Sequence, residues 1–303
     1  MADTLGAPQP QLSLKRQHLL GIICLAVAMF VFVSANALLK TIEQSYPIIE
    51  VVFFRNFFAI IPCIVIFFLK GSLPLLKVKN LPIHCLRAVF GVASLCCLFQ
   101  SILLLSLAEA TVFMFTSSVF VTALAFPMLR ERVGLSKWGA VIVGFVGVLI
   151  IARPTQNVFN WGVVFGVISA FIEAVIMVHN RKLAAVNHPL AIALYYLVVA
   201  SIISGCFLPF FWMMPTAYDF LIFMALGLGG GIGQYLVTAA YAYAPAGLLS
   251  PILYTALIWS LTYGFLFFQE VPNMALIIGG GLIIMANLFV IFQENKKISK
   301  ETV

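Results

Sequence analysis

The sequence predicts an all-α integral membrane protein whose ten transmembrane helices form two inverted five-helix repeats. The first observation is composition: 63% of the 303 residues are hydrophobic, 9% are charged, and the mean hydropathy is +1.12. A soluble domain is about 45–50% apolar and about 25% charged, so this composition excludes a water-soluble protein. The second observation is a series of apolar stretches close to the roughly 20 residues that a membrane-crossing helix needs. The third is that the first half of the chain recurs in the second.

The ten apolar stretches leave only short loops between them. With no room for a soluble catalytic domain, we expect the function to lie within the helix bundle. The predicted spans are 18–39, 48–69, 83–106, 109–129, 136–153, 160–180, 189–212, 218–241, 246–268 and 272–292.

The distribution of basic residues predicts the orientation. Thirteen of the seventeen Lys and Arg residues fall on the side of the N-terminus, and only Lys40 and Arg153 fall on the other. Cytoplasmic loops collect Lys and Arg, so both termini are predicted to be cytoplasmic. An even number of spans also places the termini on one side. The net charge of +7 therefore reflects topology, and no nucleic-acid partner is expected.

Matched residues in the two halves indicate a tandem duplication, with offsets between 136 and 142. Because five is odd, the second copy enters the membrane upside down, and inverted repeats are typical of secondary transporters. The predicted organisation is a tail at 1–17, repeats at 18–154 and 155–292, and a tail at 293–303. The matches are Lys40 with Lys182, Pro47 with Pro189, Ala108–Ala110 with Ala244–Ala246, Glu131 with Glu270, and Gly139 with Gly279.

The cysteines and histidines favour neither a metal site nor an enzyme. The six cysteines have no metal-ligand spacing and lie in or beside apolar runs, where reduced, buried side chains are the usual interpretation. The four histidines are scattered without partner acids in motifs. We therefore expect no cofactor and no metal, and an intramembrane lipid-modifying enzyme is only a remote alternative.

Several motifs resemble the EamA family of the drug/metabolite transporter superfamily. They are Arg55–Ala59, Leu86–Arg87, Leu107–Ala110 through Phe126–Pro127, Glu131–Arg132, Trp138–Gly139, Gly144, Gly147 and Arg153–Pro154. The resemblance extends loosely to the branch with S-adenosylmethionine and riboflavin uptake carriers. It implies a central cavity lined mainly by spans 1, 3, 4, 6, 8 and 9, with spans 5 and 10 packed outside. The second repeat keeps Glu270 but has no arginine in the position of Arg55.

Two charged residues inside predicted spans are candidates for a substrate or coupling role. An ionisable group at the centre of a span costs about 2.5–3.5 kcal/mol on insertion scales. Glu173 could bind a cationic substrate or carry a proton, or it could be an acid hydrogen-bonded between helices. Arg55 could face a substrate anion, or it could anchor helix ends or pair with Glu50.

Uncharged polar residues complete the predicted substrate site. Under the resemblance, Gln100 and Ser101 of span 3 and Gln234 of span 8 belong to cavity-lining helices, and Asn36 lies deep in span 1. The predicted substrate-binding residues are Asn36, Gln100, Ser101, Glu173, Gln234, Tyr254, Thr255 and Trp259. The last three follow one stripe of span 9 with Ser250, and aromatic side chains there suit a ring-containing ligand.

Other residues have structural interpretations. Arg87 and His84 lie at the start of span 3, where snorkelling to the interface is the default. The glycines between Gly227 and Gly233 should let neighbouring helices approach closely. The prolines at 209, 245 and 251 are candidates for breaking or kinking helices.

These observations predict a secondary transporter of a small polar organic metabolite, working by alternating access in a bacterial inner membrane. No ATP-binding motif is present, so an ion gradient or substrate exchange must supply the energy. The favoured substrate is a cofactor-like metabolite such as S-adenosylmethionine. The alternative is an exporter of amino acids, metabolites or toxic amphipathic compounds. Coupling to protons or to a counter-substrate, and assembly as a homodimer, are left open.

Overall fold

The computed structural model describes residues 14–42, 45–70, 78–129, 135–152, 160–184 and 187–301, and within them the chain forms eleven α-helices and no strand. The helices are α1 (Leu14–Thr41), α2 (Ile48–Lys70), α3 (Leu81–Leu104), α4 (Leu107–Leu129), α5 (Leu135–Ala152), α6 (Trp161–Ala184), α7 (Pro189–Phe211), α8 (Ala217–Tyr243), α9 (Ala246–Leu253), α10 (Thr255–Phe268) and α11 (Met274–Glu301).

The helices confirm the predicted membrane bundle. In the described ranges, nine helical stretches are long and apolar enough to cross a membrane, and α5 adds a shorter apolar stretch at 138–152. Helices α9 and α10 together occupy the predicted ninth span. The protein is therefore a multi-pass integral membrane protein, and its many exposed large apolar side chains, such as Phe68 and Phe210, suit a lipid environment.

The ninth span differs from a single helix, as its prolines predict. Pro245 precedes α9, Pro251 lies inside it, and the helix is interrupted at Tyr254 before α10 begins. A proline cannot donate the usual backbone hydrogen bond, which weakens the helix around it. Pro209 does not break its helix, because it lies inside the continuous helix α7, and a kink at this residue stays a prediction.

The packing of helices follows the duplication. Helix α1 packs along α8, and α3 packs along α6. These are equivalent pairs, because each joins the first span of one repeat to the third span of the other. The contact of α4 with α6 is likewise equivalent to the contact of α9 and α10 with α1. Helix α2 packs on α7, and α5 packs on α11, so that each of these helices contacts its own counterpart in the other repeat. Each repeat therefore completes the core of the other.

Glycines allow the closest of these contacts. A Cβ atom added at Gly231 of α8 would lie 2.6 Å from the Ala59 carbonyl oxygen of α2. A Cβ at Gly147 of α5 would lie 2.6 Å from the Gly279 carbonyl oxygen of α11. The predicted role of the glycines in helix packing is therefore confirmed at these positions, where only a residue without Cβ fits.

One sequence feature lies outside the described residues. The charged cluster Arg130, Glu131 and Arg132, which contains the first-repeat counterpart of Glu270, falls within 130–134. Its predicted place in the cytoplasmic turn between the fourth and fifth spans remains a prediction.

The α5–α11 contact gives a test of this packing within one glycine triplet. A Cβ at Gly279 would lie 2.6 Å from Cγ1 of Ile151, whereas a Cβ at Gly281 would meet nothing within 4 Å. We expect Gly279→Val to destabilise the protein by about 1–3 kcal/mol through overpacking. Thermal unfolding in detergent measures the effect. Gly281→Val is the matched control, since it introduces the same side chain into the same helix, and equal Tm values for the two variants would contradict the packing.

Candidate functional site

A cavity of about 270 Å³ lies near the middle of the bundle and is lined by residues of α1, α2, α3, α4, α6 and α8. We call it the polar cavity. Both repeats contribute to its wall. Four of the residues singled out from the sequence line it: Asn36, Arg55, Glu173 and Gln234. Five of the six helices that the resemblance implied are represented, and Arg55 adds α2.

Glu173 lies halfway along α6, and its carboxyl group is the acidic group in the wall of the polar cavity. Its polar neighbour is the hydroxyl of Ser94 on α3, and the positive charges of Arg55 and Arg87 act on it electrostatically. Among the described residues it forms no ion pair. A charged acid at this depth without a paired base is costly in lipid, so the cavity is where a counter-charge could be supplied.

Arg55 contributes the positive charge on another wall. Its Nη1 donates to Oδ1 of Asn56 at 2.9 Å. Its guanidinium lies against Gly230 of α8, where a Cβ would come within 3.0 Å of Nε. A guanidinium has five N–H donors, so this one described hydrogen bond leaves donors for a ligand.

The pairing of Arg55 with Glu50, one of the alternatives from the sequence, is not formed. Glu50 is fully buried, and its Oε2 instead accepts a hydrogen bond from the backbone N–H of Met213 at 3.0 Å. Glu50 thereby joins α2 to the segment between α7 and α8. Arg55 therefore lines the polar cavity without an ion pair to Glu50.

Arg87 and His84 do not snorkel as expected. Arg87 donates through Nε to Oδ1 of Asn180, and its guanidinium lies 4.7 Å from the ring centre of Tyr196. His84 has 1% of its surface exposed, with its ring near that of Tyr195. The two side chains contact α6 and α7 instead of reaching the membrane–water interface, because α6 and α7 pack over this face of α3.

A second cavity, of about 390 Å³, borders the first and is lined by α1, α4, α6, α10 and α11 together with Leu253 and Tyr254. We call it the apolar cavity. Five residues line both cavities, and they are Phe32, Asn36, Met114, Ser117 and Met177. The apolar cavity extends toward the C-terminal half of α4, the end of the bundle at which α1 begins.

Asn287 of α11 is a lining residue that the sequence interpretation missed. It has 5% of its surface exposed, accepts a hydrogen bond from Ser118 Oγ at 2.6 Å, and donates to the Phe115 carbonyl at 3.1 Å. The last span was expected to pack outside, yet Asn287, Val290 and Ile291 reach the apolar cavity. An asparagine in the middle of an apolar run was the available signal.

The other predicted site residues do not line either cavity. Ser101 donates to the Gly162 carbonyl at 2.9 Å, and Thr255 donates to the Ile252 carbonyl at 2.7 Å. The Trp259 ring packs edge-on against Phe30 at 5.0 Å. Gln100 is also absent from both walls, and among Tyr254, Thr255 and Trp259 only Tyr254 faces a cavity. Substrate contact by Gln100, Ser101, Thr255 or Trp259 stays a prediction without support from this geometry.

An ion pair joins the two repeats at the end of the bundle where α1 finishes. Lys40 pairs with Glu270 of the α10–α11 loop and donates to the Leu105 carbonyl at 2.6 Å. The other carboxylate oxygen of Glu270 accepts from the Leu107 backbone N–H at 2.8 Å. We call Lys40, Glu270, Leu105 and Leu107 the latch. Asn36, one helical turn before Lys40, lines the polar cavity, so the latch lies between that cavity and this end.

Comparison with known proteins agrees with this architecture. A crystal structure of a protein with 19% sequence identity superimposes with a TM-score of 0.64, covering 91% of this chain and 97% of that one. This likeness concerns the fold alone.

Curated relatives are named as transporters. The pseudopaline exporter CntI of Pseudomonas aeruginosa is 29% identical over 271 residues, covering 88% of this chain and 94% of the relative. An S-adenosylmethionine uptake transporter of Rickettsia bellii is 28% identical over 254 residues, covering 83% and 86%. A riboflavin transporter of Rhizobium johnstonii is 31% identical over 193 residues, covering 63% and 64%.

The family model described as the EamA-like transporter family matches the chain twice, at residues 19–153 and 160–292. The two matches span nearly all of the predicted membrane segments and repeat the duplication seen in the helix packing. The chain therefore belongs to the EamA-like transporter family, within the drug/metabolite transporter superfamily.

Proposed function

We propose that this protein is a secondary transporter that moves a small polar organic metabolite across a bacterial inner membrane by alternating access. The observation that carries the proposal is the polar cavity, which both repeats build at mid-bundle and which is lined by two ionisable side chains without an ion-pair partner among the described residues. Substrate sites of inverted-repeat transporters lie in such a position, at the interface of the repeats near the bilayer midplane.

The latch supplies one of the two closures that alternating access requires. It joins α1 and the α3–α4 turn of the first repeat to the α10–α11 loop of the second. Under the predicted orientation the latch faces the outside, while the apolar cavity extends toward the cytoplasmic half. The described conformation then corresponds to a state closed to the outside.

The favoured substrate is S-adenosylmethionine, taken up or exchanged. The Glu173 carboxylate suits its cationic sulfonium or ammonium group, and the uptake transporters among the relatives support the choice. Export is the alternative, since another relative is named as an exporter. Glu173 also supports proton coupling, because an acid in a cavity that opens to each side of the membrane in turn can exchange a proton with the solution on that side.

Uptake of labelled S-adenosylmethionine into proteoliposomes tests the role of Glu173. We expect Glu173→Gln to lower the uptake rate about tenfold or more, because a hydrogen bond to a charged group is worth about 1.5–3 kcal/mol. Glu50→Gln is the matched control: it alters a buried acid outside both cavities and retains an acceptor for the Met213 N–H. Equal uptake by wild type and Glu173→Gln would remove Glu173 from the mechanism.

The direction of transport is measured with the same vesicles. Counterflow of labelled S-adenosylmethionine into vesicles preloaded with unlabelled compound supports uptake or exchange. Net efflux of amino acids or amphipathic toxins, with no S-adenosylmethionine counterflow, supports the exporter.

Side-specific labelling tests the latch. Asn36→Cys introduces a thiol whose reaction with a membrane-impermeant maleimide, added from outside, is measured. The chain that keeps Asn36 is the blank, since it reports labelling of the six native cysteines. Lys40→Met removes an ion pair whose side chains are 15% and 18% exposed. Losing about 1 kcal/mol from the closed state raises the open population, and hence the labelling rate, about fivefold.

The control for this experiment is Lys40→Arg, which keeps a cation at the position and should leave labelling close to the original rate. Thermal unfolding of both variants shows whether the bundle stays folded. Unchanged labelling in a folded Lys40→Met variant would contradict the latch.

A further inference from the structure

The polar cavity is suited to a group with two opposite charges. Arg55 and Glu173 line it from α2 and α6, and they form no ion pair with each other or with another described residue. A guanidinium can hold a carboxylate through two parallel hydrogen bonds, and a carboxylate accepts from an ammonium. A zwitterion can satisfy both side chains at once, whereas a ligand with a single charge leaves either Arg55 without a counter-charge or Glu173 in need of a proton.

The apolar cavity offers few polar contacts to a ligand. The hydroxyls of Thr111, Ser117 and Thr122 each donate to a carbonyl of their own helix, at distances of 2.8, 2.6 and 3.1 Å. The wall between them is formed by aliphatic side chains such as Val121 and Ile291.

Aromatic and sulfur-containing side chains complete this wall. The rings of Phe115 and Tyr254 meet edge to face, 5.0 Å apart. Met114 and Met177 lie where the two cavities join, and methionine adapts its shape to an aromatic group. The compartment therefore suits a ring system or another bulky apolar group.

The two cavities meet at a polar residue that is available to a ligand. Asn36 lines both, is 9% exposed, and forms no side-chain hydrogen bond with the residues that the structure describes. A molecule could therefore place its charged end between Arg55 and Glu173, pass Asn36, and place its other end against Phe115 and Tyr254.

We propose that the two cavities form a single binding site for an elongated zwitterion: a molecule with an ammonium and a carboxylate at one end and a ring-sized apolar group at the other. The inference rests on the proposed transport function and narrows its substrate class. S-Adenosylmethionine has the ammonium and the carboxylate at one end and the adenine ring at the other, with a further positive charge on the sulfonium between them. Riboflavin does not, because it is uncharged, and it should not be retained.

Ligand-dependent thermal stabilisation of the purified wild-type protein tests the substrate class with probes that each lack one element. S-Adenosylmethionine and phenylalanine carry both charges and a ring. Decarboxylated S-adenosylmethionine and phenethylamine lack the carboxylate, 3-phenylpropionate lacks the ammonium, and alanine lacks the ring. We expect at least one full zwitterion to bind about tenfold or more tightly than its truncated forms, since each lost charged contact removes about 1.5–3 kcal/mol.

Variants assign each part of the ligand to its compartment. In Arg55→Gln the carboxylate should cease to matter, so decarboxylated S-adenosylmethionine should bind as well as S-adenosylmethionine. A variant that was only misfolded would bind neither ligand, whereas loss of the carboxylate contact alone should make the two affinities equal. Glu173→Gln should likewise remove the discrimination against 3-phenylpropionate relative to phenylalanine, and Glu50→Gln should preserve both preferences.

Filling the apolar cavity tests the other end. Val121 lines this cavity and not the polar one, so Val121→Phe should weaken binding of the ring-bearing zwitterion to that of its ringless analogue. The matched control is Val143→Phe on α5, because Val143 is exposed on the outside of the bundle and lines neither cavity.

The outcomes separate this inference from the proposed function. If riboflavin or a singly charged probe binds as tightly as every zwitterion and is transported, the inference is overturned and the transporter stands. If reconstituted protein transports none of these probes and binds none, the inference and the proposed substrate class fall together. Binding of a zwitterion that Arg55→Gln and Glu173→Gln leave unchanged also overturns the inference.

Discussion

Charges inside a hydrophobic bundle must find partners, and this constraint organises the protein. A chain that is only 9% charged has few such groups to place. Lys40 is neutralised by Glu270, and Arg87 is held by Asn180 and the Tyr196 ring. Arg55 and Glu173 are different, because both face the polar cavity without an ion-pair partner in the described part of the chain. Packing of the helices does not account for these two ionisable side chains, which suggests a functional role for the cavity that they line.

The duplicated architecture explains how such a cavity is built. Since α1 packs on α8 and α3 on α6, the main contacts run between the repeats, and the walls of the cavity belong to both. Glycines such as Gly231 bring α2 and α8 together without side chains between the backbones. The interruption of the ninth span places Tyr254 in the wall of the apolar cavity.

Hydropathy was enough to locate the spans, because lipid imposes a length and a composition on each helix. The rarity of buried charge was enough to single out Arg55 and Glu173 as candidates. The face that each helix turns inward was not predictable, because nearly every position in a lipid-surrounded helix is apolar and periodicity carries little information. This is why the sequence could not separate Trp259 and Ser101 from the residues that line the two cavities, and why Asn287 was overlooked on a helix expected to lie outside.

The position of Asn36 on α1 has a mechanical consequence. It lies one turn from Lys40, about 6 Å along the helix axis, so one rigid segment carries both the junction of the two cavities and the ion pair that ties the repeats together. Under the proposed function, a substrate that moves this turn would also move Lys40 relative to Glu270. If the proposed substrate binds at Asn36 and its binding shifts this turn, thermodynamic reciprocity requires that a change in the ion pair also changes the affinity for the substrate.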